Sequence, residues 1–327
     1  MKAKHHLLAA ALALVAAKNT GAQSVHYKVL YDNPYEIKKL HVHLDPFYMD
    51  LGAGNLTMGW GARGNFYVGR LGALNLDFRR AYFDMMEKAV GDGTTNAAPV
   101  RGSKPYFYFE PGIDFNLMDK TRARSLKVTL SSSSYSSGGY TYTDEKYIMV
   151  DGTQRKVFSL HGGIAFWHTM VDIGNATGTK NNDGTTTSEL FATSSSASDT
   201  LRAGHTLMSS VIIAGGISTK SITNLAIACD WGNRGNSILS HFYADFLFAP
   251  VITMEDVKYN NNIYKLNDGA RKRTGWRLGW EYHKPNKTFM SEKIEFGSRP
   301  GMKGKGSWGN AYLEMTVGFN LAFMGGE

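Results

Sequence analysis

The chain has 327 residues, with 36 Lys and Arg against 28 Asp and Glu, 36 Gly, 17 Tyr, 17 Phe, 8 Pro and one Cys. The lone Cys229 excludes an internal disulfide framework, and a composition rich in glycine and aromatics but poor in proline favours many strands joined by turns. The formal charge of +8 is spread through strands and turns rather than gathered on one helix face, which argues against a nucleic-acid partner.

In chain order, Lys2 and Lys4 precede an apolar run from Leu7 to Ala17, too short to cross a bilayer as a helix, and small residues follow it. This pattern predicts a secretory signal peptide over residues 1–22, with Thr20 and Ala22 at the small-residue positions before the cut and Gln23 as the mature start. Losing Lys2, Lys4 and Lys18 lowers the basic count from 36 to 33 against 28 acids, a charge of about +5. Export makes nucleic acid less suitable still. No later apolar run approaches the eighteen or so residues of a membrane helix.

Residues 23–327 read as one all-β domain of about twelve strands, with ten to fourteen compatible with the pattern. Each strand alternates with a period of two. Leu40, Val42 and Leu44 oppose His41, His43 and Asp45; Leu56, Met58, Trp60 and Ala62 oppose Thr57, Gly59, Gly61 and Arg63; Leu74, Leu76 and Phe78 oppose Asn75, Asp77 and Arg79. From 106 to 117, Phe107, Phe109, Ile113 and Phe115 oppose Glu110 and Asp114. Over 238–248, Phe242, Phe246 and Phe248 oppose His241 and Asp245, and over 276–282 Trp276, Leu278 and Trp280 oppose Arg277 and Glu281. The run 311–323 places Leu313, Val317, Phe319, Leu321 and Phe323 opposite Glu314. Weaker strands cover 123–131, 155–168, 205–217, 220–231 and 288–298.

Connections of unequal length suit a barrel, with tight turns at 69–72, 118–122, 232–236 and 284–287 on one rim and long loops at 84–104, 132–154, 251–273 and 299–308 on the other. Two places break this parity. The polar stretch 172–204 falls on the tight-turn rim, and 218–220 becomes a tight turn on the other. Pro111 in mid-strand predicts a bulge, and Arg80, which has apolar-face parity, is expected at the rim or beside a register change.

Alternation fits both a soluble sandwich, with its apolar faces stacked, and a closed antiparallel transmembrane β-barrel, with its apolar face in lipid. The barrel is favoured by charges recurring in mid-strand, by aromatics such as Trp60, Tyr82, Trp231, Trp276 and Trp308 toward strand ends, and by the long apolar terminal strand, which as an open edge would aggregate.

The signal ending "GAQS", the stretch "NPYEIKKLHVHLDPFYMDLG", the segment "HFYADFLFAP" and the ending "RPGMKGKGSWGNAYLEMTVGFNLAF" make the chain resemble outer-membrane β-barrel proteins of the Bacteroidota type. The resemblance implies location in the outer membrane and the barrel fold, but no specific activity. Four residues, 324–327, follow Phe323, whereas such barrels often end on the aromatic itself.

On that reading His41, His43, Asp45, Asp77, Arg79, Glu110, Asp114, Asp245, Arg277, Glu281 and Glu314 face the interior, and Phe107, Phe109, Ile113, Phe115, Leu313, Val317, Phe319, Leu321 and Phe323 face lipid. His41, His43 and Asp45 could share a zinc ion if His241 or His283 joined them, but the spacing alone leaves them as interior polar residues with no metal and no cofactor. Ser159 and His161, with Asp45 or Glu110, form the one candidate triad for a rim lipid hydrolase. "NNDG" at 181–184 and "LNDG" at 266–269 read as turns rather than calcium loops, and "ARKR" at 270–273 and "GMKGKG" at 301–306 are external basic loops suited to lipopolysaccharide phosphates. The expected protein is a non-enzymatic outer-membrane barrel, either a narrow pore for small polar solutes or a structural or assembly component with lipid and envelope-protein partners. The alternatives are the hydrolase and a secreted β-sandwich adhesin.

Overall fold

The structure, a computed structural model, describes residues 25–52, 55–92, 97–172, 204–259, 262–264, 271–302 and 310–323. The expected signal peptide, the expected turns at 181–184 and 266–269, Trp308, most of 172–204 and residues 303–306 and 324–327 lie outside them. The elements in chain order are β1 (Tyr27–Asp32), β2 (Leu40–Gly52), β3 (Asn55–Val68), β4 (Gly72–Asp84), α1 (Met85–Gly91), β5 (Ala97–Pro99), β6 (Phe107–Ser137), β7 (Tyr140–Asp172) and β8 (His205–Cys229). They continue with β9 (Gly232–Met254), β10 (Val257–Tyr259), β11 (Asn262–Tyr264), β12 (Arg271–Lys272), β13 (Thr274–His283), β14 (Phe289–Ser298), β15 (Gly301–Met302) and β16 (Ala311–Phe323). No described helix is long and apolar enough to cross a membrane, which says nothing about strands.

The chain forms two compact units. The larger comprises Asn33–Arg124, Gly152–Asn224 and Ser237–Glu327; the smaller comprises Met1–Asp32, Ser125–Asp151 and Leu225–Asn236. In the larger unit ten strands hydrogen-bond in a closed ring of order β8-β7-β6-β4-β3-β2-β16-β14-β13-β9, with β9 returning to β8. The fold is all-β and antiparallel, compatible with a β-barrel. The C-terminal strand β16 pairs with β14 on one side and β2 on the other, so the apolar strand that would be hazardous at an edge has none.

Ten strands replace the expected twelve for a definite reason. Residues 106–117 and 123–131 belong to one strand, β6, and 205–217 and 220–231 to another, β8, so neither 118–122 nor 218–220 is a turn. The expected loop 132–154 is instead the meeting of β6 and β7 around Gly138 and Gly139, whose φ values of 60° and 81° give the two left-handed positions of a tight hairpin turn. These mergers also remove the parity conflict. Asp172 and His205, the flanks of the polar stretch, are ladder partners. They lie at the end of the ring where the Asn55 amide donates to the Asp84 carboxylate and to the Met170 carbonyl, the end that carries the other long connections.

The bulge expected at Pro111 is missing from the β4–β6 ladder, which runs regularly through Leu76↔Pro111. Proline marks a bulge elsewhere: β2 gains one residue around Pro46 against both β3 and β16, leaving Pro46 and Phe47 exposed in succession. The extra residue flips the parity of β2. His41, His43 and Asp45 are buried before it, Tyr48 and Asp50 after it. Arg80 is exposed one residue from the register shift between β3 and β4, where Gly59 pairs with Ala81.

The smaller unit has its own apolar cluster, Leu126, Val128, Val150, Leu225 and Ile227, with Ile148 and Cys229 packed against it. Its strand β1 pairs with residues 225–229 of β8. Residues 131–147 are exposed throughout, and the Lys127 ammonium donates to Glu145 at 2.6 Å.

Candidate functional site

The buried side chains of the ring include a large charged set beside an apolar cluster with Trp167, Met208, Ile212 and Leu247, and its exposed side chains include many of its phenylalanines. All eleven residues assigned to the interior, His41, His43, Asp45, Asp77, Arg79, Glu110, Asp114, Asp245, Arg277, Glu281 and Glu314, are buried, none more than 8 % exposed. Of those assigned to lipid, Ile113, Phe115, Leu313, Val317, Phe319 and Phe323 are 36 to 55 % exposed, and Phe107, Phe109 and Leu321 are half-buried.

Ion pairs across the ring identify the buried face as its inside. Arg277 on β13 donates from Nη1 and Nη2 to both oxygens of Glu110 on β6, at 2.8 and 2.6 Å, and from Nε to Asp245 at 2.7 Å. Going round the ring, β6 and β13 are six strands apart one way and four the other, so this pair bridges nearly opposite walls. Lys293 on β14 reaches Asp77 on β4 at 2.7 Å, Arg79 on β4 pairs with Asp77 and with Glu314 on β16, and Arg299 joins Asp50 and Glu314. Tyrosines complete the carboxylates' hydrogen bonds: Tyr243 and Tyr312 each donate to Glu295 at 2.6 Å, and Tyr106 donates to Asp50 at 3.0 Å. Arg299 stacks over the Tyr312 ring at 3.7 Å, and Arg79 over Tyr108 at 4.6 Å. Glycine makes room for this filling. A Cβ on Gly279 would lie 2.1 Å from the Tyr243 ring of its cross-strand neighbour.

Among the described residues, two small cavities open onto this network. One cavity of about 50 Å3 is lined by groups including Arg63, Asp77, Glu110, Arg277 and Lys293, and one of about 20 Å3 lies near Asp50, Trp167 and Arg299. Each holds a few waters at most.

The tight-turn end of the ring carries a strap. Residues 33–39 contact groups from around the circumference: Asn224 on β8 donates to the Asn33 and Glu36 carbonyls at 3.1 and 2.8 Å, and Asn286, between β13 and β14, bonds Lys38 and Glu36. Tyr35 donates to Asp119 on β6 and lies under Arg155 of β7 and Arg70 beside β3. Ile37 packs on Ile222 and Leu239. Seven residues reach all these partners only by lying across the opening.

Two smaller groupings join the network. His161 lies 2.7 Å from the Asp114 carboxylate, which also receives the Lys220 ammonium at 2.5 Å. Near the strap, His41, His43 and His283 gather beside Glu281, with ring centroids 4.8 to 6.4 Å apart.

The candidate triad does not assemble. Ser159 is fully buried and its hydroxyl donates to Asn116 at 2.8 Å, while His161 is engaged with Asp114. Asp45 and Glu110 are held by Arg63 and Arg277. The basic residues of 270–273 that are described also have local partners: Lys272 donates to Ser298 at 2.9 Å and Arg273 to the Pro250 carbonyl at 2.8 Å.

Alternation missed several members of the network. Lys293 and Glu295 do alternate with Ile294 and Phe296, a signal that was there to be found, whereas Asp50 is hidden by the Pro46 bulge and Arg299 lies just beyond β14. The chain matches no protein-family model and no curated protein sequence.

Proposed function

We propose that the chain spans an outer membrane as a ten-stranded β-barrel and serves there as a closed structural or assembly component of the envelope rather than as an open pore or an enzyme. One observation carries the membrane reading: the ring buries a network of paired charges while Phe115, Phe242, Phe246, Leu313 and Phe319 are exposed, beside a buried apolar cluster that includes Trp167, Met208, Ile212 and Leu247. In water that arrangement would lose both the hydrophobic driving force and the solvation of the ions; against hydrocarbon it is the favourable one. Ring strands of 10 to 14 residues, such as β13 and β3, have the reach that a tilted strand needs to cross the apolar layer. The resemblance to Bacteroidota-type barrels agrees with this location.

The closed reading is supported by the filled interior and the strap over one end. Polar solutes would have to break ion pairs that link nearly opposite walls, so the surfaces left to act are the rims and the lipid-facing band, with outer-membrane lipids, lipopolysaccharide among them, and another envelope protein as partners. The protein should stay in the membrane pellet after a high-pH wash and migrate differently on gels with and without heating. Full recovery in the soluble fraction ends the membrane reading. In planar bilayers the folded protein should give no steady single-channel steps; regular steps would restore the pore.

A further inference from the structure

We propose that His43, Glu281 and His283 form a binding site for one divalent transition-metal ion of the zinc type, inside the ring near its tight-turn end. The proposal is independent of what the barrel does in the envelope. Ladder register brings the three together: His43 lies on β2, and Glu281 and His283 lie two apart on β13, on the same buried face. One ligand atom from each lies within 4.8 Å of the others, and His43 Nε2 is 3.7 Å from Glu281 Oε1.

What singles out this cluster is unused binding capacity. His43 and His283 are both 0 % exposed, and none of their four ring nitrogens has a hydrogen-bond partner among the described residues. Buried polar atoms are normally satisfied, and an imidazole always carries at least one N–H or lone pair seeking a partner. The neighbouring His41 makes the contrast, since its nitrogens meet Asn320 at 3.3 Å and the Lys38 carbonyl at 2.8 Å. Two imidazoles and a carboxylate are a donor set that suits zinc and its first-row neighbours, with a fourth position left for water.

Charge points the same way. Arg63 sits beside the cluster, but it is matched by Asp45, to which it donates at 2.7 and 3.0 Å; it also donates to Ser291 at 3.3 Å and to Glu281 at 2.7 Å, which orients that carboxylate. The Glu281 carboxylate is therefore the charge left for a bound cation, held by an outer-shell guanidinium and carboxylate pair. The second grouping, Asp114, His161 and His241, lacks this character because Lys220 already neutralises Asp114 and His161 already bonds it.

The test uses the full folded chain in detergent, stripped with a chelator and titrated with Co2+ alone. One equivalent should bind, with the visible absorption of a low-coordinate cobalt site, and Zn2+ should displace it. His43→Gln and His283→Gln, each checked for heat-modifiable migration, should weaken binding by about 100-fold or more, whereas His168→Gln, outside the cluster, should not. X-ray absorption on the wild-type complex should count two imidazoles and an oxygen donor, a readout that needs no variant to fold. The proposal is overturned if the stripped wild type takes up no stoichiometric Co2+, if uptake survives both glutamine variants unchanged, or if the absorption spectrum shows no imidazole ligands.

Discussion

The two units of this chain differ in where they keep their charges, although the larger one also buries an apolar cluster around Trp167, Met208 and Ile212. In the smaller unit the buried cluster is Leu126, Val128, Val150, Leu225 and Ile227, and none of its described charged residues is buried. In the larger unit Arg79, Glu314 and Arg277 are inside, while Phe115, Phe246 and Phe319 are outside. Both are antiparallel β-structure with period-two alternation, so the strand pattern is neutral as to which face is buried. What differs is the surroundings each suits on the proposed reading: water for the smaller unit, hydrocarbon for the outward face of the ring.

That contrast can be broken by substitution, and the largest effect belongs to the interior. Arg277→Ala leaves Glu110 and Asp245 without their shared cation, and the barrel should lose about 3–5 kcal/mol in urea unfolding from liposomes. Next comes the outward face of the ring. Val317→Arg, halfway along β16, replaces an exposed residue, yet should cost about 2–4 kcal/mol because the new charge meets hydrocarbon. A cost near zero would mean that this face is wet.

The same two kinds of change should act differently in the smaller unit. Trimming its core by Ile227→Val should cost about 0.5–1.5 kcal/mol, the ordinary penalty for removing one buried methylene. Met149→Arg, at a site as exposed as Phe319, should stay within about 0.5 kcal/mol of wild type. The smallest effect is at Glu145, whose carboxyl is held below its ordinary range by the Lys127 ammonium and then by the Thr129 hydroxyl. Its folded pKa is depressed, so the contact is intact above the ordinary glutamate pKa and is released as pH falls through the lowered one. An NMR titration should find Glu145 protonating at lower pH than a free glutamate.

How much of this was legible in sequence follows from the physics of the two faces. Alternation located every ring strand and sorted His41, Asp77, Glu110, Arg277 and Glu314 to one side, because a strand between two solvents must alternate. It failed where polarity was taken as a sign of a turn. Ser218 and Lys220 are buried and polar because they serve Asp114, so mid-strand residues looked like a loop and one strand was counted as two. It failed again at Pro46, where a single inserted residue moved Tyr48 and Asp50 onto the buried face. The cluster of His43 with His283 depends on ladder register between β2 and β13 through β14 and β16, which no local pattern carries.

The most direct measurement is spin-label accessibility in liposomes. With Cys229 replaced by Ser, labels placed singly at Phe115, Phe246, Val317 and Phe319 should be relaxed by oxygen, which concentrates in hydrocarbon, and shielded from a water-soluble nickel chelate, while labels at Thr141 and Glu145 should behave the other way. Ring positions as open to the nickel chelate as Thr141 and Glu145 would contradict the account.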